Sequence, residues 1–555
     1  MKRTFEMKKI ALSILLLAGM SSCDIDRFPY NSIESGSLFE DEGGLTSATL
    51  GNYSLLKGKK DESAWFDDWQ RLAEYPGDNV SLSGTTTDNL FYFYNYKNIP
   101  NNSRSSRFWS FSYRAVVGCN KVIEAATEGQ SETMDQLIGE NYYIRALIYF
   151  QMANIYGRPY TQGRDNLAVP LKLSTDIEEK PDRNTVGEVY DQVVEDLMKA
   201  EGLMNQAKSA SYATKEAAQA LLSRVYLYMG ENQKAIEYAD KVINSGRYSL
   251  LGTEDFKQYN VFTPENNAET IFAIKFTKES DYGHGWYTIG SLYANIKGTG
   301  WGEMYASKSY LDLLHENAND AREAFIDPQY LTDDNGDEIP NVMWVDANYK
   351  YQTRPTYEEA GKLYFDNAEG VKTEVLSENM EGETAFYFVG SQGKVYVEKS
   401  FEMAKRNGYP KYYILKASMQ EGEPQLWSPT VSRLAEMYLN KAEAYAKLGD
   451  TQQALDNVNI IRERAGISMY NGLSDLKEGQ NVLEAVLQER RLELAFEGHR
   501  KFDVFRNNMT MDRHYPGTHL NGNDPYYEVL PNDPRVIEFI PESQIAVQPS
   551  LIQND

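Results

Sequence analysis

The chain has 555 residues and carries 56 Lys and Arg against 81 Asp and Glu, a formal charge of −25. That balance excludes a nucleic-acid binder, which needs a basic face to displace counterions from phosphate, and at 41% hydrophobic and 12% aromatic residues the chain is too apolar for a disordered acidic tail. The length predicts one large core or roughly two to four packed sub-domains. The 40 Tyr residues pack like hydrophobes yet keep a hydroxyl, which suits wet helix interfaces first and polar ligand sites second.

Residues 1–23, MKRTFEMKKIALSILLLAGMSSC, place a basic stretch before an apolar run from Ile10 to Ala18 that is too short to span a bilayer. This predicts a secretory signal over residues 1–22. Glu6 interrupts the basic stretch and Met7-Lys8-Lys9 makes a cleaner beginning, so the start is Met1 or Met7. Ser21-Ser22-Cys23 resembles a bacterial lipobox, with Met20 where Leu is usual, and predicts lipidation of Cys23 as the mature N-terminus. Conventional cleavage near an ordinary Cys23 is the alternative. With Cys23 acylated, Cys119 is the remaining thiol and no intrachain disulfide forms. No second apolar run reaches membrane-spanning length, so the expected body is soluble and tethered at one end.

Four later stretches carry a helical period. Arg145, Ala146, Tyr149, Ala153 and Tyr156 recur at three- and four-residue spacing within 134–156. A second stretch, 185–204, opens with a Thr185-x-x-Glu188 capping box. The third and fourth, 217–243 and 434–461, resemble each other. Aligning Gly230 with Gly449 puts Tyr226 on Tyr445 and Ala235 on Ala454, a helix–turn–helix with a glycine stop and a small residue for close helix approach. This is a tetratricopeptide pattern whose two units stand about two hundred residues apart. Between them Gly, Asn, Asp and aromatic residues dominate, with strand-like runs at 270–274 and 385–389. The expected fold is mainly α: a helical-hairpin scaffold over about 40–248 and 427–510, carrying a large loop-rich insert with short strands over about 249–426. Asp333 to Glu338 hints at a calcium loop, but its Gly falls at position four and its twelfth residue is Trp344, which predicts a surface turn.

The last predicted scaffold helix contains Glu489-Arg490-Arg491, Glu493-Leu494, Glu497-Gly498-His499-Arg500 and Asp503. With Arg145-Ala146, Tyr149-Phe150, Tyr156-Gly157, Val169-Pro170-Leu171 and Asp320-Ala321-Arg322, this run resembles the signature of the SusD/RagB family of outer-membrane lipoproteins of Bacteroidetes, over essentially the whole mature chain. The resemblance implies one SusD-like domain over residues 23–555. It also implies a lipid-anchored protein facing outward from the cell outer membrane, which captures an oligosaccharide and passes it to a SusC-like TonB-dependent transporter. Some relatives bind peptides instead, and that is the alternative reading; a surface hydrolase is a distant third. On spacing alone, Glu489, Arg490, Glu493 and Glu497 form ion pairs on a helix face, and this cluster with His499 reads as scaffold and not as catalysis.

A glycan site needs aromatic faces for the C–H sides of sugars and Asp, Asn, Gln or Arg for their hydroxyls. Two segments qualify. The first holds Trp65, Trp69, Arg71, Asp78, Asn79, Tyr92, Tyr94 and Tyr96; the second holds Tyr282, His284, Trp286, Tyr287, Tyr293, Trp301 and Tyr305. Competing readings make Phe91–Tyr96 a strand and place Trp109, Phe111 and Tyr113 in the core. Trp286 and Trp301 sit among glycines, where no regular element hides them. No catalytic motif, metal-ligand set or cofactor loop is evident, and the expected protein is a binder without cofactor or metal.

Overall fold

The computed structural model describes residues 39, 41–58, 65–84, 86–281, 284–380, 383–522 and 525–555. The leader, Cys23 and Tyr282 lie outside the described residues. The scaffold is built from α1 (Glu42–Lys57), α2 (Trp65–Glu74), α3 (Ser103–Ala125), α4 (Glu132–Tyr156), α5 (Val186–Leu203), α6 (Lys215–Met229) and α7 (Asn232–Asn244). After α8 (Lys308–His315) come α9 (Leu434–Leu448), α10 (Thr451–Arg464), α11 (Val482–Glu493) and α12 (Arg500–Arg506). No helix among the described residues is long and apolar enough to cross a membrane.

Local chemistry sets the helix ends. Ser131 caps α4 through its side chain, and Thr185 with Glu188 closes the capping box of α5. Gly230 ends α6 at φ 79°, ψ 9°, and Gly449 ends α9 at φ 82°, ψ 8°. This left-handed stop costs glycine little, and its recurrence makes the two hairpins structural copies. Ala235 and Ala454, aligned by the sequence, are both fully buried where the second helix of each hairpin meets the first. Helix α4 packs on α5, α6 on α7 and α9 on α10, and α7 packs directly on α9. The intervening chain is therefore spliced between two stacked hairpins, and the mainly α, tetratricopeptide-like reading matches the structure.

One feature differs from expectation and a second extends it. The predicted last helix is broken: α11 stops at Glu493, Phe496 and Gly498 adopt φ 68° and 79°, and α12 begins at Arg500. The insert is also more regular than loop-rich. From Pro340 to Phe401 it forms a closed antiparallel barrel of β1 (Pro340–Val345), β2 (Tyr351–Glu359), β3 (Lys362–Asp366), β4 (Lys372–Met380), β5 (Glu383–Gly390) and β6 (Gly393–Phe401), in the order β6-β1-β2-β3-β4-β5. Among the described residues its buried apolar cluster is small, Val342, Phe365, Val375 and Val397, with Trp344, Phe386 and Phe388 packed against them. So small a core leaves most positions of β2 and β4 partly or fully exposed, and neither strand carries a clean apolar alternation. The 270–274 run forms a strand over Thr270–Ala273 that pairs with Thr430–Arg433 at the root of α9.

Candidate functional site

The Glu/Arg signature lies inside the scaffold, and its pairs run between elements, not along one helix face as spacing suggested. Arg433 bonds Glu497 with both Nε and Nη2 at 2.9 Å, and also meets Glu493 and Glu269. Arg322 is held by Asp320 and Glu489, and Glu489 also accepts from Arg462 at 2.8 Å. Arg490 reaches Asp503 at 2.8 Å and Asn440 at 2.7 Å. Burial works against the charge on Glu497, yet Arg433 and Lys416 outweigh it and hold the carboxyl below its ordinary range. His499 is pushed well below the usual imidazole range by burial and by the surrounding arginines, so it is neutral. These carboxylates are spent on guanidinium groups, and the void beside His499, Trp65 and Trp69 measures about 10 Å³. That is space for about one water and not for a sugar.

Most of the first aromatic segment is also interior, so these side chains are not the exposed platforms expected. Trp65 and Trp69 stack at 6.3 Å, and their indole N–H groups donate to Ser112 and Gln151 at 2.9 Å. Trp69 covers Gly498 so closely that a Cβ there would lie 2.8 Å from the ring, which explains the glycine in the signature. Asp78 accepts two bonds from Arg500, at 2.7 and 2.9 Å, and sits 3.5 Å from Arg491. Although burial raises it, the two guanidinium groups bring the Asp78 carboxyl down to about 2. Asn79 accepts from Arg491 at 2.9 Å. Phe91–Tyr96 contributes a short helix over Leu90–Tyr94 instead of a strand. The Tyr94 and Tyr96 rings hold the Arg513 guanidinium at 4.7 and 5.3 Å, and Tyr92 is half-buried against Phe91. Trp109 is core, as expected.

The second segment behaves differently. Trp286 is 39% and Trp301 is 56% exposed, and their rings meet edge to face at 5.3 Å and 76°. The Trp301 loop is rigidly held: its N–H bonds the Ser291 carbonyl at 2.5 Å, and its carbonyl accepts from Arg406 at 3.0 Å. Gly300 provides φ 110°, and a side chain there would collide with the Ala294 carbonyl at 2.1 Å. Tyr305 is buried against Tyr413, its hydroxyl donating to Gly302 at 2.8 Å, so it supports the loop from beneath.

These two tryptophans overhang a cleft of about 400 Å³, lined also by Arg71, Tyr287, Asp88, Asn89, Arg104 and Arg107. Asp88 is the charged centre. Arg104 pairs with it through both Nε and Nη2, while Arg71 stands 3.8 Å away and donates to the Tyr287 carbonyl at 2.8 Å. Burial raises Asp88, but Arg71 and Arg104 prevail and keep it ionised below the usual carboxylate range. Arg107 is tied to Asp68 by two bonds of 2.9 Å. Of the fifteen residues named in the two segments, the structure brings Arg71, Trp286, Tyr287 and Trp301 to this cleft. Asp88, Arg104 and Arg107 escaped sequence reading, although Thr86-Thr87-Asp88-Asn89 before a helix with arginines three apart was a visible polar signal.

The SusD family model matches residues 268–555, more than half of the chain, and this chain belongs to the SusD family. A second model, described as starch-binding associating with outer membrane, matches residues 57–227. The chain is 24% identical over 520 residues to "SusD-like protein P2" of Formosa agariphila, covering 90% of each. It is 24% identical over 548 residues to a SusD-like protein of Bacteroides ovatus, covering 92% of this chain and 83% of that one. Among solved structures, a SusD superfamily protein of Bacteroides thetaiotaomicron superposes with a TM-score of 0.70 at 25% identity over 93% of this chain and 99% of that one. A putative sugar binding protein of Bacteroides vulgatus gives 0.68 at 24% identity over 92% and 97%.

Proposed function

We propose that this protein is a non-catalytic glycan-capture lipoprotein of the outer membrane that hands oligosaccharides to a SusC-like TonB-dependent transporter. The observation that carries this reading is the exposed Trp286–Trp301 pair over a cleft centred on Asp88 and its arginines. Indole faces accept the C–H sides of sugar rings, and the fixed ions and amides beneath accept and donate to hydroxyls. Family membership supports it, as do the structural likeness to a putative sugar binding protein of Bacteroides vulgatus and a family model described as starch-binding associating with outer membrane. The leader over residues 1–22 is removed on this reading, Cys23 carries the lipid, and residues 23–555 act as one unit.

A protein that must release its cargo binds it in the micromolar range, about −8 kcal/mol. Calorimetry of the mature chain against plant and host glycans, beside a peptide mixture, tests the proposal. Saturable heat with one glycan class, reduced in W286A/W301A by loss of binding at this cleft and without product formation, is the expected result. Heat with peptides alone, or turnover of the bound glycan, overturns it.

A further inference from the structure

The barrel contains a seam. Residues 393–397 of β6 pair with 390–386 of β5, whereas residues 398–401 pair with 343–340 of β1. Trp344 and Val345 of β1, and Thr384 and Ala385 of β5, therefore have no ladder partner in β6. At this seam a cleft of about 520 Å³ opens between the barrel and α8, with Lys308, Asp312 and His315 on one wall and Trp344, Tyr396 and Glu398 on the other.

The lining carries both signs in near balance. Lys308 pairs with Asp312, and His315 Nε2 lies 3.2 Å from Glu323. The Glu398 side chain is exposed on the wall and makes no hydrogen bond or ion pair among the described residues, with Lys308 and His315 the cations that face it. Tyr396 is half-exposed and donates to Glu378 at 2.7 Å, which fixes its ring. A strongly charged ligand gains little from such a lining, whereas an uncharged polyhydroxylated one gains aromatic contact and a free acceptor. The edges without a partner in β6 are two residues long in β1 and three in β5, too short a run for an added peptide strand.

We propose that this cleft is a second saccharide-binding site, separate from the Trp286–Trp301 cleft. It extends the glycan reading above and rests on it for the ligand class. The two sites share a frame: in the hairpin of Lys405–Arg406 with Tyr409–Pro410, Arg406 holds the Trp301 carbonyl, Lys405 reaches Thr353 of β2, and the Tyr409 ring lies 6.4 Å from Tyr351. A polysaccharide that engages both is retained more strongly than a short fragment.

The test is calorimetry of the mature chain with hexasaccharides prepared from starch, xylan and mannan. Wild type binds two equivalents of the responding hexasaccharide, and Y396A/E398A and W286A/W301A each bind one. Hydrogen exchange on wild type supplies a readout that needs no variant: the same ligand slows exchange at Met343–Val345 and Thr384–Phe386. Binding of one equivalent, unchanged in Y396A/E398A and with no protection at the seam, overturns the inference, as does saturable heat from none of the three. Heat that survives W286A/W301A and disappears in Y396A/E398A supports this site while overturning the reading of the first.

Discussion

Two aromatic segments of similar composition meet opposite fates in this molecule. Trp65 and Trp69 lie on one amphipathic helix whose every residue is buried, and their rings became mortar between α2, α3 and α4. Trp286 and Trp301 flank a glycine-punctuated loop, and the backbone holds their faces in solvent. The difference teaches that residue type nominates a sugar platform while the surrounding backbone decides whether the ring is available. An aromatic pair at helical spacing has an apolar face to bury; one beside glycines at positive φ has none.

Substitutions sharpen this contrast, and the largest effect is expected in the buried pair. Trp65→Ala removes a fully buried indole and costs about 3–5 kcal/mol of stability, read by denaturant melts, with unchanged glycan affinity in the folded fraction. The double change W286A/W301A gives the mirror image. It loses about 1.5–3 kcal/mol of binding for each ring with a melting transition that hardly moves. Equal stability losses in the two experiments break the comparison.

Acid comes next, because the buried segment has exchanged ligand-facing polar groups for internal ion pairs. Asp78 has a folded pKa of about 2, below the ordinary 3.8. Its contribution is thus present above about pH 4 and lost as pH falls from about 4 toward 2, amounting to about 2 kcal/mol. Denaturant titrations across that window show the loss in wild type and a flatter profile in Asp78→Asn. The smallest effect belongs to Asp88→Asn in the exposed cleft. There a charge-assisted bond to Arg104 becomes neutral, lowering stability by about 1 kcal/mol and weakening glycan affinity several-fold by calorimetry.

Legibility in the sequence followed physical range. Gly230 and Gly449, Thr185 with Glu188, and the small residues Ala235 and Ala454 act within a turn or two of chain, so their hairpins were readable. The barrel was not, because its closure depends on pairings between strands whose apolar positions are few. The Glu/Arg signature was seen as charge at helical spacing, but its partners, such as Arg433 for Glu497 and Arg322 for Glu489, lie 64 and 167 residues away and are assigned only by folding. The cleft shows the same limit. Trp301 was chosen for its glycines, whereas Asp88 and Arg104 are brought to it across some two hundred residues of chain.

The direct contact between α7 and α9 has a consequence for how this chain can change. About 190 residues leave the scaffold after Asn244 and return at Leu434, so the scaffold sees the whole excursion as one closed loop. The entropy of closing a flexible loop grows only with the logarithm of its length, and doubling it costs about 0.6 kcal/mol. Strands, hairpins or an entire barrel can thus be added between these two helices almost without charge to the solenoid, and the part of the molecule that meets the outside world is free to vary in size while its frame stays the same.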